Sequence, residues 1–433
     1  MRLYSTNKKS PEVSFKEALF TALPDDNGLY LPTKIPQLEP AFFTAIGDLN
    51  LQEIAFRVSN LLIGDEVPEP ALTDIIEEAI NFDAPLISLT DRLNILELYH
   101  GPTLAFKDFG GRFMSRMMSH FLEQEDKEIT ILVATSGDTG SAVANGFLGV
   151  PGIKVVILYP SGKVSEFQEK QFTTLGKNVV ALELDGTFDD CQKLVKQAFL
   201  DPQLNAKINL TSANSINIGR LIPQSFYYFY AYAKASQSKK PVVFSVPSGN
   251  FGNLCGGILA QRMGMPVQKF LAATNVNDVV PEYLLSGNFK PRPSEHTISN
   301  AMDVGNPSNF ARILNLYHND WDLLKQELVG YRFDDTQTSK AVLEVSGTYN
   351  YTLDPHSAIG YLALKDFLEK NNSGSVGVAL STAHPSKFSE VVENIIGSKV
   401  IIPERLRHVL AKNKVSIRIP NDYDKLKEFI LLA

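Results

Sequence analysis

Ile129-Thr-Ile-Leu-Val-Ala-Thr-Ser-Gly-Asp-Thr-Gly-Ser-Ala-Val-Ala144 decides the fold. Its first six residues, Ile129–Ala134, are apolar apart from Thr130, which is how a strand buried on both faces reads. A turn rich in Gly, Ser and Thr follows, and Ser141–Phe147 then reads as a helix. Strand, loop, helix is the building unit of a parallel α/β sheet. The same succession recurs outward along the chain. Downstream, Lys154–Tyr159, Asn178–Leu184, Ile208–Thr211, Pro241–Val246, Phe270–Thr274 and Val376–Leu380 read as strands. Between them, Val164–Leu175, Phe188–Phe199, a long stretch from Ile218 to about Ala235, and Phe251–Met263 read as helices. Upstream, Asn94–Tyr99 reads as a strand. Two such units fit the length better than one.

Residues 1 to about 90 have a different rhythm. Ser14 followed by Glu17 is a capping-box pattern at a helix start. Asp25–Pro32 reads as a turn and a short extended piece. Leu51–Leu62 and Ala71–Ile80 carry apolar residues at helical spacing, and Pro68-Glu-Pro70 separates them because proline cannot continue a helix. Residues 285–312, with Gly287, Pro291, Pro293, Gly305 and Pro307, predict a long irregular connection of the kind that carries function. Tyr331–Thr352 has room for a further helix or strand.

The bulk properties narrow the function classes. The 433 residues suggest two or three domains with large cores. A net charge of −7 without a basic stripe argues against nucleic acid as the main partner. The two cysteines, Cys191 and Cys255, lack metal-ligand spacing, so no metal site is expected and both read as reduced, buried residues. The first residues lack the apolar core of a secretion signal, and no apolar run approaches the ~20 residues of a membrane span. The expectation is a cytoplasmic protein without a membrane partner, as a monomer or homodimer.

Three loops carry candidate chemistry. In His100-Gly-Pro-Thr-Leu-Ala-Phe-Lys-Asp-Phe-Gly-Gly-Arg112, Lys107 follows Leu104-Ala-Phe106, where apolar packing can lower its amine pKa and supply the free amine a Schiff base needs. Thr135-Ser-Gly-Asp-Thr-Gly140 leads from strand to helix. It reads either as a simple capped turn or as an anion site of amides and hydroxyls that would suit a substrate carboxylate. Ser248-Gly-Asn-Phe-Gly-Asn253 could cradle a phosphate in the same way, but it fits neither the P-loop nor the dinucleotide spelling. Two anion loops and a poised lysine suit pyridoxal phosphate and an amino-acid substrate. Thr382 ends a strand on the edge where such sheets bind ligands, so its hydroxyl could meet a pyridine nitrogen. His384, beside Pro385, reads as shaping the turn.

HGPTLAFKDFGGRF, ATSGDTGSA, VPSGNFGN, Ser299-Asn-Ala-Met-Asp303 and TAHPSKF, in this order and spacing, resemble the threonine synthase family. The resemblance runs along nearly the whole chain. It implies a fold-type II pyridoxal-phosphate enzyme, with two α/β lobes of parallel-rich sheets and a mostly helical N-terminal domain. On that basis 1–92 would be the N-terminal domain and 93–433 the catalytic region. Within that region about 115–235 would form much of the smaller lobe, and 93–114 with 236–433 the larger. The implied reaction converts O-phospho-L-homoserine and water to L-threonine and phosphate. Lys107 matches the Schiff-base lysine, Ser248, Gly249, Asn250, Phe251, Gly252 and Asn253 the cofactor-phosphate loop, and Thr382 the partner of the pyridine nitrogen. Thr135, Ser136, Gly137, Thr139 and Gly140 match the loop that receives the substrate carboxylate. Asp138 stands where related enzymes often carry asparagine near the cofactor hydroxyl, and needs a proton or a cationic neighbour there.

A second anion site would serve the substrate phosphate. Its candidates are Lys163, with Ser161, Ser165 and Arg112, and further along Asn214, Ser215, Asn217, Arg220, Asn309 and Arg312. The rival readings are a phospholyase giving 2-oxobutyrate from the same substrate, and a non-catalytic binding protein on the same fold. Retention of Lys107 argues against the second.

Overall fold

In the computed structural model, which describes residues 1–123, 125, 127–371 and 374–432, fourteen strands form three sheets among the described residues. In chain order they are β1 (Arg2–Ser5), β2 (Val13–Ser14), β3 (Tyr30–Pro32), β4 (Leu86–Ser88), β5 (Leu93–Glu97), β6 (Ile129–Ala134), β7 (Ile153–Pro160), β8 (Val179–Leu184), β9 (Asn209–Thr211), β10 (Val242–Pro247), β11 (Lys269–Thr274), β12 (Leu328–Arg332), β13 (Val376–Ser381) and β14 (Ile417–Ile419).

The five-stranded sheet has the order β14-β8-β7-β6-β9 and is wholly parallel. The six-stranded sheet, β12-β11-β10-β13-β5-β4, is parallel except for the edge strand β4. Helices cover both faces, so the inner strands are buried throughout: β10 and β13 are buried at every residue, Ser245 and Ser381 included. One apolar cluster runs from Leu3 and Phe15 in the N-terminal segment through Phe113 and Ile131 to Phe244 and Leu380, uniting the segment with both sheets. Separate clusters pack the opposite face of each sheet.

The N-terminal helices form as the caps predict. Ser14 accepts from the Glu17 amide while the Glu17 carboxylate accepts from the Ser14 amide, and Asn50 with Glu53 repeats the arrangement. The segment also holds the antiparallel sheet β2-β1-β3, which its helical spacing did not announce. The long helix expected over 218–235 is two helices, Ile218–Leu221 and Gln224–Ala235. Pro223 lies at the break, because its nitrogen carries no hydrogen to donate and its ring crowds the preceding turn. The 331–352 stretch contributes to β12 and to the helix Asp335–Tyr349. The chain after residue 404 departs from the expected larger lobe: β14 pairs with β8 at the edge of the five-stranded sheet.

The lysine-bearing turn is stitched to the end of β13. Phe106 N–H donates to Thr382 O at 2.9 Å and His384 N–H to Leu104 O at 3.1 Å, around an Ala105–Ala383 bridge. Leu104 adopts φ +59° to make this turn.

Candidate active site

The carboxyl ends of β6, β7, β10 and β13 and the start of the helix Lys107–Leu122 converge on a cavity of about 770 Å³ between the two parallel sheets. This is the edge at which open α/β sheets bind ligands. Lys107 lines the cavity. Burial holds its amine below the ordinary value; the Asp138 charge opposes that shift, and Lys387 and Arg220 reinforce it. The turn before it is braced by Asp108, whose carboxyl oxygens accept from Thr103 N–H at 2.8 Å and Thr103 Oγ1 at 2.7 Å. Burial raises the Asp108 carboxyl in spite of those bonds.

Opposite the lysine lies the loop between β6 and the helix Asp138–Gly146. Thr135 Oγ1 accepts from the amides of Gly137 (3.0 Å) and Gly140 (2.8 Å), so this hydroxyl folds the loop. Gly137 has φ +144°, and a Cβ there would meet the Gln168 side chain at 2.5 Å. With those two amides occupied, the first-turn amides of Asp138 and Thr139 and the hydroxyls of Ser136 and Thr139 face the cavity end of the helix. Asp138 also lines the cavity, and its Oδ1 accepts from Lys387 Nζ at 2.6 Å and Gln168 Nε2 at 2.8 Å. Burial alone would raise this carboxyl, but Lys387 and Lys107 outweigh it and hold it well below the usual carboxylate range. Asp138 is therefore an anion with its cation supplied by Lys387.

The loop after β10 provides a second anion cradle. Gly249–Asn253 line the cavity at the start of the helix Gly252–Arg262. Ser248 sits behind them, its amide donating to Ala273 O and its hydroxyl to Val246 O, both at 2.8 Å. Asn250 is clamped between Ser215 Oγ (2.9 Å) and the Ser308 amide (2.7 Å). Phe251 takes φ +61° to turn the backbone into the helix. Asn253 Oδ1 accepts from Tyr227 and Tyr228 hydroxyls, both at 2.8 Å, which fixes its amide orientation. Its Nδ2 is then a buried donor without a partner, and Asn253 lines the cavity. A buried unsatisfied donor beside free helix-start amides is what a bound phosphate would complete. With Lys107 in reach of the same cavity and Thr382 on its wall, these residues fit pyridoxal phosphate.

The second-site candidates separate. Lys163, Ser215 and Arg220 line the cavity. Arg112 does not: its Nε donates to Ala79 O at 2.9 Å and its Nη2 to Glu78 O, closing the end of the helix Glu69–Ala79. Five residues past Lys107, it lies about 140° round the helix from that lysine. Ser161 donates to Glu183 at 2.7 Å, and Ser165 caps the helix Glu166–Thr173. Arg312 is fully buried, bonded to Tyr30 O and Asn309 Oδ1, while Asn217 caps the Gly219 amide. These are framework contacts. His384 caps the short helix Pro385–Phe388, in keeping with a turn-shaping role, and burial lowers its ring to about 4.

A family model described as threonine synthase N terminus matches residues 2–80, one described as pyridoxal-phosphate dependent enzyme matches 86–382, and one described as threonine synthase, C-terminal, matches 357–430. The Escherichia coli (strain K12) threonine synthase is 43% identical over 100% of this chain and 99% of its own length. The chain belongs to the threonine synthase family. Yeast threonine synthase is 36% identical over 95% of this family member and 93% of its own length. Among solved structures, the E. coli threonine synthase superposes with a TM-score of 0.92, covering 100% of both chains at 43% identity. A PLP-bound threonine synthase from Brucella melitensis gives 0.95 at 34% identity, covering 100% of this chain and 99% of that one.

Two functional neighbours in this family member had no sequence signal of their own. Lys387 sits inside the TAHPSKF motif, but nothing there marks it as buried against Asp138. His356 lines the cavity, its Nδ1 2.7 Å from Asp354 Oδ1 and its Nε2 accepting from the Ala301 amide at 3.1 Å. Held between Asp354 and the Ala301 amide, the ring pins the Ser299–Asp303 segment to the cavity wall.

Proposed function

We propose that this protein is a pyridoxal-phosphate-dependent threonine synthase that converts O-phospho-L-homoserine and water to L-threonine and phosphate. The observation that carries the reading is the convergence of Lys107, two helix-start anion loops and Thr382 on one cavity, in a chain that matches threonine synthases over its full length. Bound pyridoxal phosphate would supply an electron sink for the negative charge left when protons leave the substrate carbons.

The chain's own residues do the rest. Gly249–Asn253 amides and Asn253 Nδ2 hold the cofactor phosphate, and Thr382 offers the ring nitrogen a neutral hydroxyl. Unlike a carboxylate, that hydroxyl would not hold a proton on the ring nitrogen. Ser136, Thr139 and the amides beside them hold the substrate carboxylate, with Lys387 neutralising Asp138 so that the two carboxylates do not repel. Lys107, its amine lowered by burial, anchors the cofactor and then moves protons at the substrate α and β carbons. Lys163, across the cavity, receives the substrate phosphate as it leaves. The reading extends to a cytoplasmic protein; both cysteines are free and buried, as suits a reducing compartment, and no helix among the described residues is long and apolar enough to cross a membrane.

Incubating the purified protein with pyridoxal phosphate and O-phospho-L-homoserine tests the reading. Threonine and phosphate in equal amounts are expected. 2-Oxobutyrate in place of threonine would make the protein a phospholyase, and no turnover with cofactor bound would leave a binding protein.

A further inference from the structure

Lys387 is an expensive residue to keep where it is. Its side chain is fully buried, and Asp138, its partner, is 5% exposed. A charge removed from water is retained only with close partners, and apolar residues would fill the same space at lower cost. Lys387 Nζ reaches two groups: Asp138 Oδ1 at 2.6 Å and Thr103 O at 2.8 Å. Gln168 Nε2 donates to the same Asp138 oxygen, and Gln171 Nε2 to the same Thr103 carbonyl at 3.0 Å. Thr103 in turn holds Asp108, the neighbour of Lys107. The network thus ties the short helix Pro385–Phe388, the lysine turn, the helix Glu166–Thr173 and the start of the helix Asp138–Gly146 together on one side of Lys107. Resting on the proposed function, we infer that Lys387 is a positioning residue which, through Asp138, sets the proton affinity of Lys107.

The electrostatic logic has a definite sign. Lys107, Asp138 and Arg220 line one cavity, Arg220 donates to the Lys107 carbonyl at 3.4 Å, Lys387 is held against Asp138, and Asp108 is next in sequence. Asp138 favours a proton on the Lys107 nitrogen, while Lys387 and Arg220 disfavour one. As long as the pair is intact its two charges largely cancel at Lys107, and burial is left to hold the amine below its ordinary value. Neutralising either member exposes the other. Lys387→Met leaves Asp138 as an uncompensated anion and raises the proton affinity of Lys107. Asp138→Asn leaves Lys387 as an uncompensated cation and lowers it. The double variant restores the balance. A purely structural role would move the single variants in the same direction and the double variant further still.

Two titrations read this out. In the cofactor-free protein, the pH dependence of Lys107 reductive methylation, followed by peptide mass spectrometry, reports the amine directly. In the protein loaded with pyridoxal phosphate, the pH dependence of the bound chromophore's absorbance reports the same nitrogen as a Schiff base. The expected result is a shift of about tenfold or more in proton affinity, upward for K387M and downward for D138N, with the double variant close to wild type. Shifts of one sign in both single variants, or no shift in either, would overturn the inference. If K387M does not fold, D138N alone carries the test, because Asn keeps the shape of Asp and an oxygen that can still accept from Lys387 Nζ and Gln168 Nε2: a downward shift supports the inference and an unchanged titration overturns it. A wild-type protein that develops no chromophore would instead count against the proposed function, and the methylation titration would still decide the role of the pair.

Discussion

Lys107 needs its proton to be mobile, and its surroundings determine what happens when it is lost altogether. Lys107→Ala should fold, because the residue lies at a helix start and faces the cavity, yet it should bind no cofactor covalently. Borohydride reduction followed by mass measurement is expected to find no adduct, and turnover should fall by roughly 10²–10⁴-fold or more, the usual worth of a positioned acid–base group. Thr382→Asp tests the wall beside the lysine turn. A carboxylate there would hold a proton on the ring nitrogen, so the absorbance of bound intermediates should change; unchanged spectra would remove Thr382 from that role. At this scale the motifs were legible where a residue type alone implies its chemistry. Lys107, Asp138, Thr382 and the Gly249–Asn253 loop all reach one cavity. Thr135 was legible only as a loop residue, since whether its hydroxyl faces a ligand or its own backbone depends on the turn geometry. Lys387 and His356 were not legible, because a buried charge is recognised by its partners, and those partners are distant in sequence.

Elements explain why some residues with suitable chemistry are framework instead. Arg112 looks like an anion ligand, yet it closes the end of the helix Glu69–Ala79 and joins it to the lysine-bearing helix. Arg112→Met should therefore lower stability by about 1–3 kcal/mol, the worth of the charge-assisted bonds it makes to the helix-end carbonyls, while KM stays unchanged. Denaturant unfolding and steady-state kinetics on one sample separate the two effects. The loop after β10 shows the reverse case, in which the backbone itself is the ligand. A Cβ on Gly249 would lie 2.7 Å from Met302 Cα and 2.9 Å from Ala301 O, both backbone atoms. Gly249→Ala must push the cradle away from the Ser299–Asp303 segment, at about 1–3 kcal/mol, and cofactor affinity measured by titration should weaken accordingly. Inner strands such as β6, β10 and β13 were legible because burial on both faces leaves a short, mostly apolar run. β14 was not, since a three-residue edge strand, with Ile417 and Arg418 exposed, carries almost no pattern. The division of the 218–235 helix follows from Pro223, a local rule that the apolar spacing around it obscures.

At the scale of the whole molecule, the last segment of the chain links the two sheets around the site. Arg405 donates to the carbonyls of His100 and Gly101 (2.8 and 2.9 Å), at the head of the lysine turn. Lys170, from the helix that also carries Gln168, donates to Leu410 O at 2.7 Å. Further on, Val415 N–H donates to Thr173 O at 3.0 Å, and β14 extends the five-stranded sheet. Glu183 on β8 fixes this crossing: Lys414 Nζ lies 2.7 Å from its Oε2, and Ser161 and Ser416 donate to the same carboxylate. Burial would raise the Glu183 carboxyl, but these three partners outweigh it and bring it down to about 2. A carboxyl lowered on folding stabilises the folded chain above its ordinary pKa, and that contribution fades as the pH falls from there toward 2. Acid should therefore loosen the end of the chain from β8. Hydrogen exchange at Val415 and β14, corrected for intrinsic rates, is expected to gain openness between pH 5 and pH 3 relative to the inner strands β6 and β7. Other carboxylates titrate in the same window, so the decisive comparison is Glu183→Gln, which removes the charge at every pH. In that variant the segment should be looser at pH 5 than in the wild type, and the difference should shrink as the pH approaches 3. A wild-type and variant pair that stays equally protected at pH 5 would mean that strand pairing and Arg405, not the Glu183 carboxylate, hold the crossing in place.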